Sequence, residues 1–183
     1  MKQNQSHGSG RFDRTQLRCC PENVVLEDGV LIFHPENVSL DSNVYIGHHT
    51  ILKGYWRNEM TIGENTWVGQ MCFFHSAGGL SIGRNVGIGP CVRIITSTHR
   101  EAGIDIPILH SPVDFAPVRI EDDCDLGVGA IVLPGVTLGK GCQIGAGAVV
   151  TRSLAPYSVA AGVPARVIRI RTDLPGAAAA PQS

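Results

Sequence analysis

The chain has 183 residues, 43% of them hydrophobic but only 5% aromatic, with 15 Lys plus Arg against 16 Asp plus Glu. That length suits one domain with a sizeable core, and the balanced charge excludes a global attraction to nucleic acid or to an anionic membrane. No apolar run approaches the roughly 20 residues that span a bilayer, and the polar start MKQNQSHGSGRFDR lacks the apolar core of a signal peptide, so a cytoplasmic protein is expected.

In chain order, residues 1–20 are polar and expected to be disordered. A faint ladder of aliphatics then begins at Leu26, Ile32, Leu40, Ile46 and Leu52, and continues through Ile62, Val68 and Phe74 to Ile82, Ile88 and Ile94. From Ile94 to Ile120 is 26 residues where six would do, which predicts a loop at about 96–117. Loops of that length inside a domain are usually functional or disordered. The ladder resumes as Ile120, Leu126, Val132, Leu138, Ile144 and Val150, and the repeat domain is expected to cover 21–170. The final residues, 171–183, read as a disordered Ala/Pro tail.

A six-residue period fits neither an α-helix nor one long strand, so the chain must turn every six residues. Three units bring it back to its starting point, which stacks residues 18 apart, such as Leu138 on Ile120, about 4.8 Å from one another in parallel strands. Aliphatics form interior columns. Residues four places on, among them Thr66, Cys72, Val86, Val92, Cys124, Ala130, Val136, Cys142 and Ala148, form a second inward column of small side chains. Three of the six cysteines fall on that position and are read as packing thiols. Glycines after the aliphatics are assigned to corners that need positive φ. The predicted fold is all-β, a parallel β-helix of triangular section.

Four stretches carry a more specific resemblance: STHR (Ser97–Arg100), APVRI (Ala116–Ile120), LPGVTLGKGCQIGAGAVVT (Leu133–Thr151) and AAGVPARVIR (Ala160–Arg169). In this order they resemble the galactoside/maltose O-acetyltransferase group of hexapeptide-repeat acyltransferases, over about Ile62–Arg169. The resemblance implies a left-handed β-helix, acetyl-CoA as acyl donor without a metal, and a homotrimer with active sites between chains.

Acyl transfer from a thioester needs a group that takes the acceptor's proton, and histidine suits that task near neutral pH. His99, at the base of the long loop, stands where the family's catalytic histidine stands. By resemblance, Val128 and Ala146 contact the pantetheine arm, while Thr151, Arg152, Arg166 and Arg169 lie near the adenosine phosphates, the arginines clustering in the closing coil. Where sugar-binding members carry Asn and Asp, this chain has Gln70, His75 and Ser76, which are assigned to the acceptor; a Trp common in the group is Asp125 here. The expected acceptor is a hydroxyl of a sugar or glycoconjugate precursor. An amino sugar or antibiotic acetylated on nitrogen is the alternative, and a non-catalytic β-helix subunit is a third reading. A γ-type carbonic anhydrase would need two histidines five residues apart, and the sequence has no such pair.

Overall fold

A computed structural model describes residues 5–172 of the chain. Short strands joined by tight corners wind into three parallel faces. The first face stacks Val25–Leu26, Tyr45–Ile46, Trp67–Val68, Gly87–Ile88, Asp125–Leu126, Gln143–Ile144 and Ser158–Ala161. The second stacks Leu31–Phe33, Ile51–Lys53, Phe73–His75, Arg93–Ile94, Ile131–Val132 and Val149–Val150. The third stacks Val38–Leu40, Met60–Ile62, Leu80–Ile82, Val118–Ile120 and Thr137–Leu138. The register is that of an 18-residue coil: Ile120 pairs with Leu138, Leu126 with Ile144 and Val132 with Val150. The protein is an all-β parallel β-helix with one long excursion.

Both inward columns are filled as the periodicity requires. The ladder aliphatics are buried, and so are Cys72, Val86, Cys124, Ala130, Cys142 and Ala148, each at most 1% exposed. A section this narrow is filled to crystal-like density by aliphatic and small side chains, which accounts for the few aromatics. All six cysteines are free, and burial pushes the Cys72 thiol up to about 11.

The glycines differ from expectation in their reason. At the corner between the first and second faces, Gly127 does not have positive φ; a Cβ there would lie 2.6 Å from the backbone nitrogen of Ala146 in the next coil. It is glycine because two backbones meet. The left-handed residue lies two places later, and in the same column its occupants are Gly29, His49, Met71, Cys91, Gly129 and Gly147. At the corner between the third and first faces that position is held by Asn43, Asn65, Asn85, Asp123 and Gly141, residue types that tolerate αL, and in the last coil by Tyr157.

Part of the segment expected to be disordered covers the first coil. Arg14–Gln16 forms a 3-10 turn capped by Asp13, Leu17 is buried in the core, and Cys19 bridges to Ser39. At the other end, Arg166–Ile170 runs antiparallel to Ser158–Ala161 and closes the first face. From residue 173 the expected tail lies outside the described residues.

One corner departs from the six-residue spacing. Between the second and third faces, Ile32 and Leu40 are eight apart, Leu52 and Ile62 ten, Phe74 and Ile82 eight, and Ile94 and Ile120 twenty-six. From the Leu26 coil through the Val150 coil, ladder residues flanking the other two corners stay six apart. The extra residues stack and bond from coil to coil. Asn37 Nδ2 donates to the Tyr55 carbonyl (2.8 Å), Asn58 Nδ2 to the Ala77 carbonyl (2.5 Å) and the Gly78 N–H to the Thr96 hydroxyl (2.9 Å). The long excursion is therefore the largest of four insertions on a single edge.

Candidate active site

The excursion leaves the coil as a two-stranded antiparallel ribbon, Ser97–His99 against Val113–Phe115, with Ser97 opposite Phe115 and His99 opposite Val113. Strand alternation puts Ser97, His99, Val113 and Phe115 on one face of the ribbon. Asp114 lies on the other, where it is paired with Arg100; the guanidinium holds its carboxyl below the usual carboxylate range. The His99 ring is exposed, with Nδ1 3.3 Å from the Ser111 carbonyl oxygen. A carbonyl only accepts, so Nδ1 carries the proton and donates it, which leaves the lone pair on Nε2 of an exposed ring. Ser111 is buried, and its hydroxyl donates to the Ile108 carbonyl (2.6 Å), which fixes the strand that holds His99.

Beneath the ribbon, the buried Thr96 hydroxyl donates to the His75 carbonyl (2.8 Å) and accepts the Gly78 N–H (2.9 Å). Its hydrogen is thereby committed, so His75 Nδ1, 3.2 Å from the same oxygen, is the donor of that contact. The His75 ring also meets Tyr55 edge-on, centroids 4.9 Å apart. Burial, with the Lys53 cation second, holds its pKa below the ordinary histidine range. On the His99 face of the ribbon, the Arg57 guanidinium lies 4.8 Å from the Phe115 ring centroid and 4.5 Å from that of Trp56. The insertion at residues 53–59 is thus tied to the face of the ribbon that presents His99.

The structure brings His99 and His75 to the same corner and places the other expected residues elsewhere. Ser76 is a correction: it is fully buried and its hydroxyl turns to the Lys53 carbonyl (3.5 Å), so it does not face an acceptor. Gln70 stacks at the corner between the first and second faces, in the column that continues through Pro90 to Val128 and Ala146. The three arginines do not form one cluster, because the chain crosses the third face between them at Leu154. Thr151 and Arg152 are exposed at the insertion corner, on the coil beyond Leu133, whereas Arg166 and Arg169 are exposed on the closing strand, opposite Ala161 and Val159. Arg166 lies at the foot of the Val128–Ala146 column, since Ala161 packs against Gly145. Lys53, Tyr55, Trp56 and Arg57 were absent from the expected set. Their signal is the ten-residue gap between Leu52 and Ile62, which holds aromatic and cationic residues in an aromatic-poor chain. A larger hollow of about 390 Å³ lies at the opposite, charged corner beside Glu64, Arg84 and Asp122, away from both histidines.

Residues 117–152 match the family described as the hexapeptide repeat of succinyl-transferase. A Schizosaccharomyces pombe protein named as an acetyltransferase is 42% identical over 108 residues, which are 58% of this chain and 51% of that protein. Galactoside O-acetyltransferase from Escherichia coli is 32% identical over 131 residues, 62% of this chain and 64% of the enzyme. The match thus spans about half to two thirds of these relatives' lengths. A crystal structure of a variant of AntD, an N-acyltransferase from Bacillus cereus, in complex with dTDP-4-amino-4,6-dideoxyglucose and Coenzyme A, shares the fold with a TM-score of 0.77, 22% identity and 87% of each chain covered. Coils, corner spacing and these matches together define a hexapeptide-repeat protein. The chain is similar to hexapeptide-repeat acetyltransferases, the galactoside and maltose O-acetyltransferases among them. No helix among the described residues is long and apolar enough to cross a membrane.

Proposed function

We propose that the protein is a cytoplasmic acetyltransferase that moves an acetyl group from acetyl-CoA to a hydroxyl of a sugar or glycoconjugate precursor, with His99 as general base. The observation that carries this reading is the Nδ1–H of His99 committed to the Ser111 carbonyl, which leaves Nε2 open on a face lined by Phe115, Arg57 and Trp56. In the reaction the acceptor oxygen attacks the thioester carbonyl carbon as Nε2 takes the hydroxyl proton. The carbon–sulfur bond then breaks, and the proton passes to the departing sulfur, which leaves as the CoA thiol. No metal is required for this sequence.

Val128 and Ala146 offer the pantetheine arm a column of small residues, and Arg166 at its foot, with Arg169 beyond, takes the phosphates. That column and His99 lie on different corners of one chain. A closed trimer in which the insertion corner of one chain meets the Val128–Ala146 corner of the next brings base and donor together, with Thr151 and Arg152 bordering the same groove. Gln70, in line with Val128, then faces the acceptor from the neighbouring chain.

The test is thiol release from acetyl-CoA across a panel of sugars and amino sugars. His99→Ala should lower turnover about 10²- to 10⁴-fold with an unchanged circular dichroism spectrum and melting curve. Near-normal turnover in that variant removes the base from the mechanism. Products acetylated on nitrogen in place of oxygen favour the N-acetyltransferase, and a wild-type protein that neither binds nor turns over acetyl-CoA is a scaffold.

A further inference from the structure

The insertions at residues 34–37 and 53–59 enclose a cleft of about 240 Å³ beside the proposed acceptor site, lined by His7, His34, Lys53, Tyr55 and Trp56. Lys53 is half-buried, its ammonium lying 3.8 Å over the Phe33 ring. Among the described residues, neither Lys53 nor Arg57 is paired with a carboxylate. The carboxylate beside the cleft, Glu36, is occupied by His34 Nδ1 at 2.9 Å, and the nearby Glu59 is taken by Arg18. A partly desolvated cation without a counterion attracts an anion. Trp56, 65% exposed, supplies a flat wall. It touches Arg57, Arg57 touches Phe115, and Phe115 lies two residues along one strand from Val113, the partner of His99, a separation of about 7 Å. The cleft and the base therefore lie at the two ends of one continuous surface.

We propose that this cleft anchors a phosphorylated acceptor: Lys53 holds its phosphate or diphosphate, and Trp56 stacks on the ring attached to it. The proposal rests on the acetyl-transfer reading for the meaning of "acceptor", but the binding it describes does not need acetyl-CoA. Two sources share this chemistry. A sugar phosphate places its pyranose face on the indole; a nucleoside diphosphate sugar places its base there. In either case the sugar end reaches toward Phe115 and His99.

The experiment is a titration of the full chain, without acetyl-CoA, by inorganic pyrophosphate, glucose 1-phosphate, UDP-glucose and glucose, read by calorimetry. Both phosphate esters should bind at least about 10-fold more tightly than glucose. Lys53→Met, which keeps the stem over Phe33, should lose about 10- to 100-fold in affinity for pyrophosphate and the esters, and Lys53→Arg should recover most of it. Trp56→Ala, at an exposed position, should weaken UDP-glucose more than glucose 1-phosphate if the base is the stacked ring, and the two equally if the pyranose is. Glucose binding as tightly as its phosphate esters overturns the proposal. So does unchanged ester binding in both Lys53→Met and Trp56→Ala. Ester binding that follows these variants in a protein without transferase activity keeps the cleft and removes only the acetyl-transfer reading.

Discussion

The Ser111 carbonyl decides what His99 is able to do, because a ring nitrogen that donates to an acceptor-only partner leaves the other as a lone pair. His75 is committed in the same sense by the Thr96 hydroxyl, but inside a half-buried pocket, and this has a measurable consequence. Burial and then Lys53 keep its pKa below the ordinary value of 6.5. Between those two values the unfolded chain binds more protons than the folded one, so stability falls as pH drops through this window. Above the ordinary value the contribution of neutral His75 is fully present. Between pH 7 and pH 5 the thermal midpoint of the wild type should therefore fall more than that of His75→Gln; equal slopes would show that His75 does not titrate on unfolding. The place of His99 at the base of the long loop is legible in the sequence because the loop and the Ser-Thr-His-Arg order are local. The inward turn of Ser76 is not, since it depends on how a two-residue insertion bends over the coil beneath it. The separation of Arg152 from Arg166 is likewise hidden until the crossing at Leu154 is seen.

At the scale of the element, each corner is a contact between backbones before it is a turn. Gly127 and Gly129 are neighbours that make the distinction testable. A methyl group at 127 meets the Ala146 nitrogen at 2.6 Å, whereas one at 129 meets nothing within 4 Å but sits at φ 69°. Gly127→Ala should cost about 3 kcal/mol or more, because rigid backbone must shift through the stack. Gly129→Ala should cost only about 1 kcal/mol, the local αL penalty. Urea unfolding of the two variants separates them, and equal losses would mean that coil contact does not set the glycine positions. The coil and its inward columns could be read from the sequence because period and residue size are one-dimensional properties. The direction of the outward side chains at the corners could not, because it depends on which corner of the prism each unit meets. The insertion corner lies between those cases: its four gaps are countable in the chain, but their stacking on one edge appears only when the coil is closed.

For the whole molecule, the distance between the His99 ribbon and the Val128–Ala146 column predicts shared sites. If a trimer joins these corners across each interface, two inactive variants should rescue one another. His99→Ala keeps the column, and Ala146→Trp obstructs it while keeping the histidine. In randomly mixed trimers, made by co-expression from variants each shown to be folded and trimeric, about a quarter of wild-type activity should return. Recovery no greater than the sum of the separate variants would place each site within one chain. The insertion edge has a further consequence for how such a protein can change. Because every lengthening is confined there, segments can be spliced in or cut out without altering coil pitch or the pairing along the faces. The other corners admit no such edit, since an added residue would move the next ladder aliphatic from the interior to the surface. New recognition chemistry can be grafted onto a chassis that does not register the exchange, so loops 34–37 and 53–59 are the segments to swap when a different acceptor is wanted.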